Sequence, residues 1–166
     1  MMPPVYYSAV ESPIGLLLLT SDGEAITGLY MENHRAGPGI APHWVRADEP
    51  FAAARAQLAA YFAGERTAFD LPLRAPGGTP FQRRVWDALQ EIPFGETVSY
   101  SDLARSIGRP RAVRATGSAN ARNPISIFVP CHRVVGAGGA LTGYGGGIDR
   151  KRALLELERR VRAANP

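Results

Sequence analysis

The feature that most constrains this 166-residue chain is the run Ala-Pro-Gly-Gly-Thr-Pro at positions 75–80. Clusters of Pro and Gly interrupt helices and strands, so this run predicts a boundary between two structural units, residues 1–75 and residues 76–166. The first unit has five basic and eight acidic side chains, a net charge of −3, and the second has fourteen and seven, a net charge of +7. A basic unit joined to an acidic one indicates that the second unit contacts a polyanion.

The first unit has the pattern of a small mixed domain. Three short β-prone runs, residues 5–10, 14–20 and 25–30, alternate with turn-forming segments, which is typical of an antiparallel meander. Apolar residues then recur with helical spacing over about 49–63. Residues 69–73 have the composition of a strand that returns to the sheet. None of these segments carries a chemical motif.

The second unit is predicted to be mainly helical. Positions 79–80 fit the N-cap and first residue of a helix, and Ser99 with Asp102 has the capping-box spacing that opens the next. A turn at 108–110 leads into a third helix over about 111–121. Two short helices around a Gly turn are the helix-turn-helix signature, although such pairs also occur as plain core packing. The predicted fold class is α/β (α+β): a short antiparallel sheet in the first unit and a helical, winged-helix-like second unit.

Cysteine content and hydropathy exclude several classes of protein. A single cysteine excludes an internal disulfide framework, and with only three histidines a structural zinc site is not expected. The longest apolar run, residues 14–19, is far shorter than the ~20 residues of a membrane span, and the first residues lack a signal-peptide pattern. We therefore expect a monomeric cytoplasmic protein that uses no metal and does not bind membranes.

The chemistry is concentrated at residues 123–135. The apolar run in this segment predicts a buried strand that ends at Pro130 and presents Cys131. His132 and Arg133 follow directly, and nearby positive charge lowers the pKa of a thiol and favours the nucleophilic thiolate. The alternative is that Cys131 is a small buried hydrophobic residue, as most lone cysteines are.

His132 is a candidate general base for Cys131. Because adjacent side chains on extended backbone diverge, we expect a water molecule to connect thiol and imidazole. An imidazole base needs an orienting partner, and Glu158 is a candidate because it interrupts the apolar stripe of a helix predicted over about 149–163. The alternative is a carboxylate at the edge of the stripe that reaches solvent.

A series of motifs surrounds this segment in a fixed order. They are FQRRVW at 81–86, IPFGET at 92–97, SY at 99–100, RATG at 114–117, NP at 123–124, PCHRV at 130–134 and GYGGG at 143–147, followed by Lys151. With them the chain closely resembles the O6-alkylguanine-DNA alkyltransferases, also called methylated-DNA–protein-cysteine methyltransferases. The match covers about residues 81–158, and the PCHRV block with its neighbours is highly specific. The first unit fits the family's variable α/β domain more loosely.

The resemblance implies one irreversible transfer of an alkyl group to Cys131 from O6 of guanine, or less readily O4 of thymine, in double-stranded DNA. No cofactor or metal is implied, since a soft thiolate suits displacement at saturated carbon and the thioether formed has no hydrolytic exit. Tyr100 and Asn123 join Cys131, His132 and Glu158 as candidate catalytic residues. Tyr100 would donate to the departing guanine, and Asn123 would brace the turn before the active segment.

The resemblance also implies a pocket for the alkylated base. The carbonyls of Cys131 and Val134 would recognise the base, and Gly145 would direct its N–H toward O6. An ordinary flexible loop is the alternative for the glycine-rich segment. The candidate pocket residues are Tyr100, Val134, Tyr144, Gly145, Gly146 and Lys151.

The helix predicted over 111–121 is the candidate DNA reader. A major-groove reader usually projects several long polar side chains, whereas this helix is mostly Ala, Gly and Ser, which suits close approach to the minor groove. Arg114 would fill the gap left by an extruded base; the alternative is a phosphate contact on a solvated face. Thr116 stands where the family usually has Val. The candidate DNA-binding residues are Arg114, Ala115, Thr116, Gly117, Ala119 and Asn120.

Two other classes of function remain open from the sequence. One is a lesion-sensing DNA-binding module without chemistry, which the presence of Cys131 disfavours. The other is a cysteine hydrolase, whose thiol would turn over repeatedly.

Overall fold

The structure is a computed structural model that describes residues 3–34 and 37–166. The first unit is built on a four-stranded sheet with the order β3-β2-β1-β4. The strands are β1 (Tyr6–Val10), β2 (Leu17–Ser21), β3 (Ile26–Met31) and β4 (Val45–Arg46). The first three form the predicted antiparallel meander, whereas β4 pairs in parallel with β1 and was not predicted. Two exposed residues are too few to give a strand pattern.

Five α-helices follow the sheet, and capping boxes explain where two of them begin. They are α1 (Ala52–Phe62), α2 (Pro80–Leu89), α3 (Tyr100–Ser106), α4 (Val113–Ala121) and α5 (Ile148–Ala164). Thr79 and Gln82 form a complete capping box at α2, and Ser99 and Asp102 form another at α3. Both helix starts are thus where the sequence predicts them. None of these helices is long and apolar enough to cross a membrane.

The segment before Cys131 is a turn and not the predicted strand. Residues 125–129 make one bridge to β3, through Leu29 and Ile125, and then turn back on themselves. The side chain of Asn123 holds this turn: its Nδ2 donates to the Val129 carbonyl at 2.8 Å, and its Oδ1 accepts from Ile125 N–H at 3.0 Å. Ile127 takes a left-handed conformation with φ of 71°. The run is apolar because it is buried and not because it is a strand, which periodicity alone does not distinguish.

The two units pack against each other through a shared core. The core includes Leu29 and Tyr61 from the first unit and Val85 and Leu154 from the second. Two short strands of the second unit, β5 (Val98–Ser99) and β6 (Val134–Val135), pair in parallel and connect the helix-turn-helix to the segment after Cys131. Side chains of the first unit can therefore reach the residues around Cys131.

Candidate active site and DNA interface

Cys131 opens a 3₁₀ turn, Cys131–Arg133, that follows Pro130 directly. The Cys131 side chain is 4% exposed and His132 is fully buried. The sequence argument that the two side chains diverge assumed extended backbone, and the turn removes that assumption. Asn120 fixes the turn from α4, since its Nδ2 donates to the Cys131 carbonyl at 3.3 Å.

Glu158 is the hub of the site. Its side chain is fully buried on α5, and Oε2 lies 2.7 Å from His132 Nε2. Arg133 donates from Nε to Oε1 at 2.8 Å and from Nη2 to Oε2 at 3.1 Å. Gly95 N–H also donates to Oε1 at 3.2 Å, and the Tyr61 hydroxyl donates to Oε2 at 2.6 Å. The carboxylate that interrupts the apolar stripe thus points inward to His132, and the solvent-facing alternative is wrong.

These donors fix the protonation of the pair. Burial alone would raise the pKa of Glu158, but the hydrogen bonds and charges of His132 and Arg133 outweigh it and hold that pKa well below its ordinary value. Burial lowers the pKa of His132, although Glu158 opposes the shift. An ionised Glu158 with a neutral His132 requires the imidazole proton on Nε2, which leaves the lone pair on Nδ1. Nδ1 is buried and accepts no hydrogen bond from the residues that the structure describes.

The pKa of the Cys131 thiol differs from the sequence prediction, which expected it to be lowered. Burial raises the pKa of Cys131 above its ordinary value of 9.0, and hydrogen bonds from Asn123 and the charge of Lys151 offset this only in part. Arg133 does not supply the expected positive charge, because its guanidinium is paired with Glu158 and with the Ile92 carbonyl, 2.7 Å from Nη1. The resting nucleophile is therefore a neutral thiol that needs a base.

The raised pKa predicts slow reaction of Cys131 with a small alkylating agent. At pH 8 iodoacetamide should modify Cys131 more slowly than an unperturbed thiol, because only the thiolate reacts and its fraction is reduced. The rate should continue to rise beyond pH 9 instead of levelling there. Mass spectrometry of quenched samples gives the rate, and a plateau already reached at pH 7 would show that the thiolate is the resting form.

Tyr100 and Lys151 meet at one carbonyl beside the thiol. The Tyr100 hydroxyl donates to the Thr142 carbonyl at 3.0 Å, and Lys151 Nζ donates to the same oxygen at 2.9 Å. Lys151 also donates to the Val134 carbonyl at 2.5 Å, which leaves that oxygen one further lone pair. Burial lowers the pKa of Lys151 to about 8 and raises the pKa of Tyr100, so the phenol keeps its proton at neutral pH.

The glycine-rich segment is packed tightly against the first unit. A Cβ added to Gly145 would lie 2.6 Å from the His34 ring, and one added to Gly146 would lie 2.3 Å from Met31 Sδ. Tyr144 is buried beside the thiol. A Cβ at either position would require His34 or Met31 to move, so close packing accounts for these two glycines better than an ordinary flexible loop does.

Helix α4 presents only part of the predicted DNA-binding set to solvent. Arg114 and Ala115 are exposed and Gly117 is half-buried. The side chains of Thr116, Ala119 and Asn120 are buried at 0%, 2% and 1% exposure, so these side chains do not reach solvent, and contact of the three residues with DNA stays a prediction. They pack inward because α4 lies against α2 and α3: the Ala119 carbonyl, for example, accepts from Trp86 Nε1 at 2.9 Å. The Thr116 hydroxyl has no hydrogen-bond partner among the described residues.

Sequence reasoning missed two residues that shape the site. Tyr61 has helical apolar spacing in α1, which predicts only a core position, and its hydroxyl reaches Glu158 across 97 residues. Arg150 joins the glycine-rich segment to the first unit: it donates to the carbonyls of Ile14 at 3.0 Å, Glu32 at 2.6 Å and Gly146 at 3.1 Å. Local sequence contains no signal for either contact.

Comparison with known proteins places this site in a family. The ribonuclease-like domain of 6-O-methylguanine DNA methyltransferase matches residues 5–75, and the DNA-binding domain of that protein matches residues 80–160. The methylated-DNA–protein-cysteine methyltransferase of Mycolicibacterium paratuberculosis is 54% identical over 156 residues, which cover 94% of this chain and 93% of that protein. Its counterpart in Methanosarcina acetivorans is 51% identical over 154 residues and 93% and 98% of the two chains.

Solved structures agree with the sequence relatives. The crystal structure of Mycobacterium tuberculosis OGT in complex with DNA matches with a TM-score of 0.88 and 53% sequence identity, over 94% of each chain. Both halves of the chain and nearly its whole length are thus covered by one group of proteins. This chain belongs to the 6-O-methylguanine DNA methyltransferase family.

Proposed function

We propose that this chain repairs DNA by transferring the alkyl group of O6-alkylguanine, and less readily of O4-alkylthymine, irreversibly to Cys131. The observation that carries the proposal is the buried sequence of groups at the 3₁₀ turn: a neutral thiol, a neutral imidazole with its lone pair on Nδ1, and an ionised carboxylate that fixes the imidazole. His132 follows Cys131 in the 3₁₀ turn, and a base that reaches an otherwise unreactive thiol, here through a water molecule, is what nucleophilic catalysis requires.

The chemistry balances with these groups alone. His132 removes the thiol proton through a water molecule as the S–C bond forms and the C–O6 bond breaks. The electron pair of the broken bond stays on guanine, and the proton taken from the thiol returns to that anion. Glu158 stabilises the transient imidazolium and does not itself take the proton. The products are an S-alkylcysteine and an unmodified guanine, and no cofactor takes part.

The pocket residues have separate roles in this reaction. When the base is bound, the Tyr100 hydroxyl turns from the Thr142 carbonyl, which keeps its hydrogen bond from Lys151, and donates to the departing guanine where negative charge develops. The carbonyls of Cys131 and Val134 accept from the base, and Lys151 orients the Val134 carbonyl. The N–H of Gly145 faces O6, a position supported by the packing that holds the glycine-rich segment.

DNA binding and base extrusion are assigned to α4. Its exposed side chains near the N-terminal end are small apart from Arg114, which suits minor-groove docking without base-specific contacts. Arg114 occupies the stack that the extruded base vacates. The division into an N-terminal α/β unit, residues 1–75, and a DNA-binding and alkyl-transfer unit, residues 76–166, is part of the same proposal. So is action as a cytoplasmic monomer, because no part of this mechanism needs a second copy or a membrane.

Stoichiometry tests the proposed function. A duplex with one O6-methylguanine, tritiated in the methyl group, should transfer one methyl group per chain and then stop, because the thioether cannot be hydrolysed. Cys131→Ser should accept none and still bind the duplex. Repeated turnover with excess duplex would indicate a hydrolase, and binding without transfer by the unsubstituted chain would indicate a lesion sensor; either result would refute the proposal.

A further inference from the structure

The phenol of Tyr61 is placed to act on the base of the reaction, although it belongs to the first unit. Its side chain is 1% exposed, and its ring lies among those of Phe62, Phe69 and Phe94 at centroid distances of 5.2, 5.3 and 6.1 Å. This packing fixes the direction of the hydroxyl, which donates to Glu158 Oε2 at 2.6 Å.

The same carboxylate oxygen serves His132. Oε2 lies 2.7 Å from His132 Nε2, so the phenol and the imidazole donate to one atom, which also accepts from Arg133 Nη2 at 3.1 Å. A carboxylate oxygen that accepts a further hydrogen bond shares its charge with that donor and attracts an imidazolium less strongly. We propose that Tyr61 is a positioning residue for alkyl transfer. Its hydrogen bond weakens the attraction of Glu158 for a protonated His132, and so keeps that imidazole neutral and oriented at neutral pH. This inference rests on the function proposed above.

Two cations around the Glu158–His132 pair act in the same direction as the phenol. Arg133 faces Glu158 from the 3₁₀ turn and Lys151 acts on His132 from α5, and both disfavour a charged imidazole. Tyr144 acts on Tyr61, and Cys131 acts on Tyr144 and Lys151. Burial, followed by the charge of Glu158, raises the pKa of Tyr61 well above 10.0, so the phenol donates throughout the working pH range.

Tyr61→Phe removes the hydroxyl and keeps the ring. Without that donor Glu158 should attract an imidazolium more strongly, and the pKa of His132 should rise by about one unit. Transfer from free O6-benzylguanine, which needs no DNA, should then be slower by roughly two- to fivefold near pH 6, because less of the base is neutral, and unchanged within about twofold above pH 8. The acid limb of the pH–rate profile should thus move to higher pH.

Phe69→Leu is the matched control, since Phe69 packs on Tyr61 but has no hydroxyl. It should lower the melting temperature without moving the acid limb. NMR titration of ring-labelled histidine gives the pKa of His132 without substrate; the chain has three histidines, and His132→Gln identifies the signal.

The two readouts separate this inference from the proposed function. A raised His132 pKa in Tyr61→Phe, with no such change in Phe69→Leu, supports the inference even if no methyl transfer is found. An unchanged His132 pKa, or an equal loss of rate at every pH in both variants, would overturn it and leave Tyr61 a packing residue.

Discussion

Replacing Glu158 with Gln is expected to slow alkyl transfer by about a hundredfold or more, which is the usual contribution of a positioned base. The amide cannot stabilise the imidazolium that forms when His132 takes the thiol proton. It also leaves Arg133 as a buried charge without its partner, which should lower the free energy of unfolding by about 3 kcal/mol. Single-turnover transfer and denaturant unfolding measure the two effects.

Glu156→Gln is the control for this variant, because Glu156 is an exposed carboxylate on the same helix. It should leave both quantities near those of the unsubstituted chain.

The pH dependence of the free energy of unfolding adds a further check. Because the pKa of Glu158 is held below its ordinary 4.5, the stability it contributes is present above about pH 4.5 and is lost as the pH falls toward the folded-state pKa. A normal transfer rate in Glu158→Gln would reduce Glu158 to a structural residue.

Arg114→Ala should separate base extrusion from chemistry. Extrusion costs a few kcal/mol, so loss of the side chain that fills the vacated stack should slow transfer from duplex DNA by roughly tenfold to a hundredfold. Transfer from free O6-benzylguanine should change by no more than about twofold, because that substrate needs no extrusion. The ratio of the two single-turnover rates is the measurement.

Arg122→Ala, at the other end of α4, is the control for the loss of one exposed positive charge. If Arg114 only contacted a phosphate, its loss would weaken binding to all DNA and reduce the slope of log K against log salt concentration by about one. Equal slowing of the duplex and free-base reactions by Arg114→Ala would contradict the extrusion role. It would instead place Arg114 in support of the pocket or the fold.

The sequence predicts those parts of the molecule that depend on short-range chemistry. The capping boxes at Thr79 and Ser99, the meander and the inward position of Glu158 each follow from a local pattern: a cap spacing, a turn spacing and a break in an apolar stripe. Each pattern involves residues within one or two turns of structure, and tertiary contacts reinforce it.

The parts that the sequence misses depend on burial and on long-range contacts. The apolar run at 125–129 looks the same in a buried strand and in a buried turn. The pKa of Cys131 follows from desolvation and from the pairing of Arg133 with Glu158, and neither effect can be predicted from the neighbouring residues in the sequence. Small residues on α4 suit both a groove-facing and a core-facing surface, so the burial of the Thr116 side chain does not follow from the sequence pattern.

The central claim is that Cys131 is the permanent acceptor of the alkyl group. The most direct test is the intact mass of the chain after incubation with a duplex that contains O6-methylguanine, followed by peptide mapping. The account predicts a mass increase of a single CH₂, located on Cys131, with the guanine restored in the DNA. An unchanged protein mass alongside demethylated DNA, or a methyl group on any other residue, would contradict it.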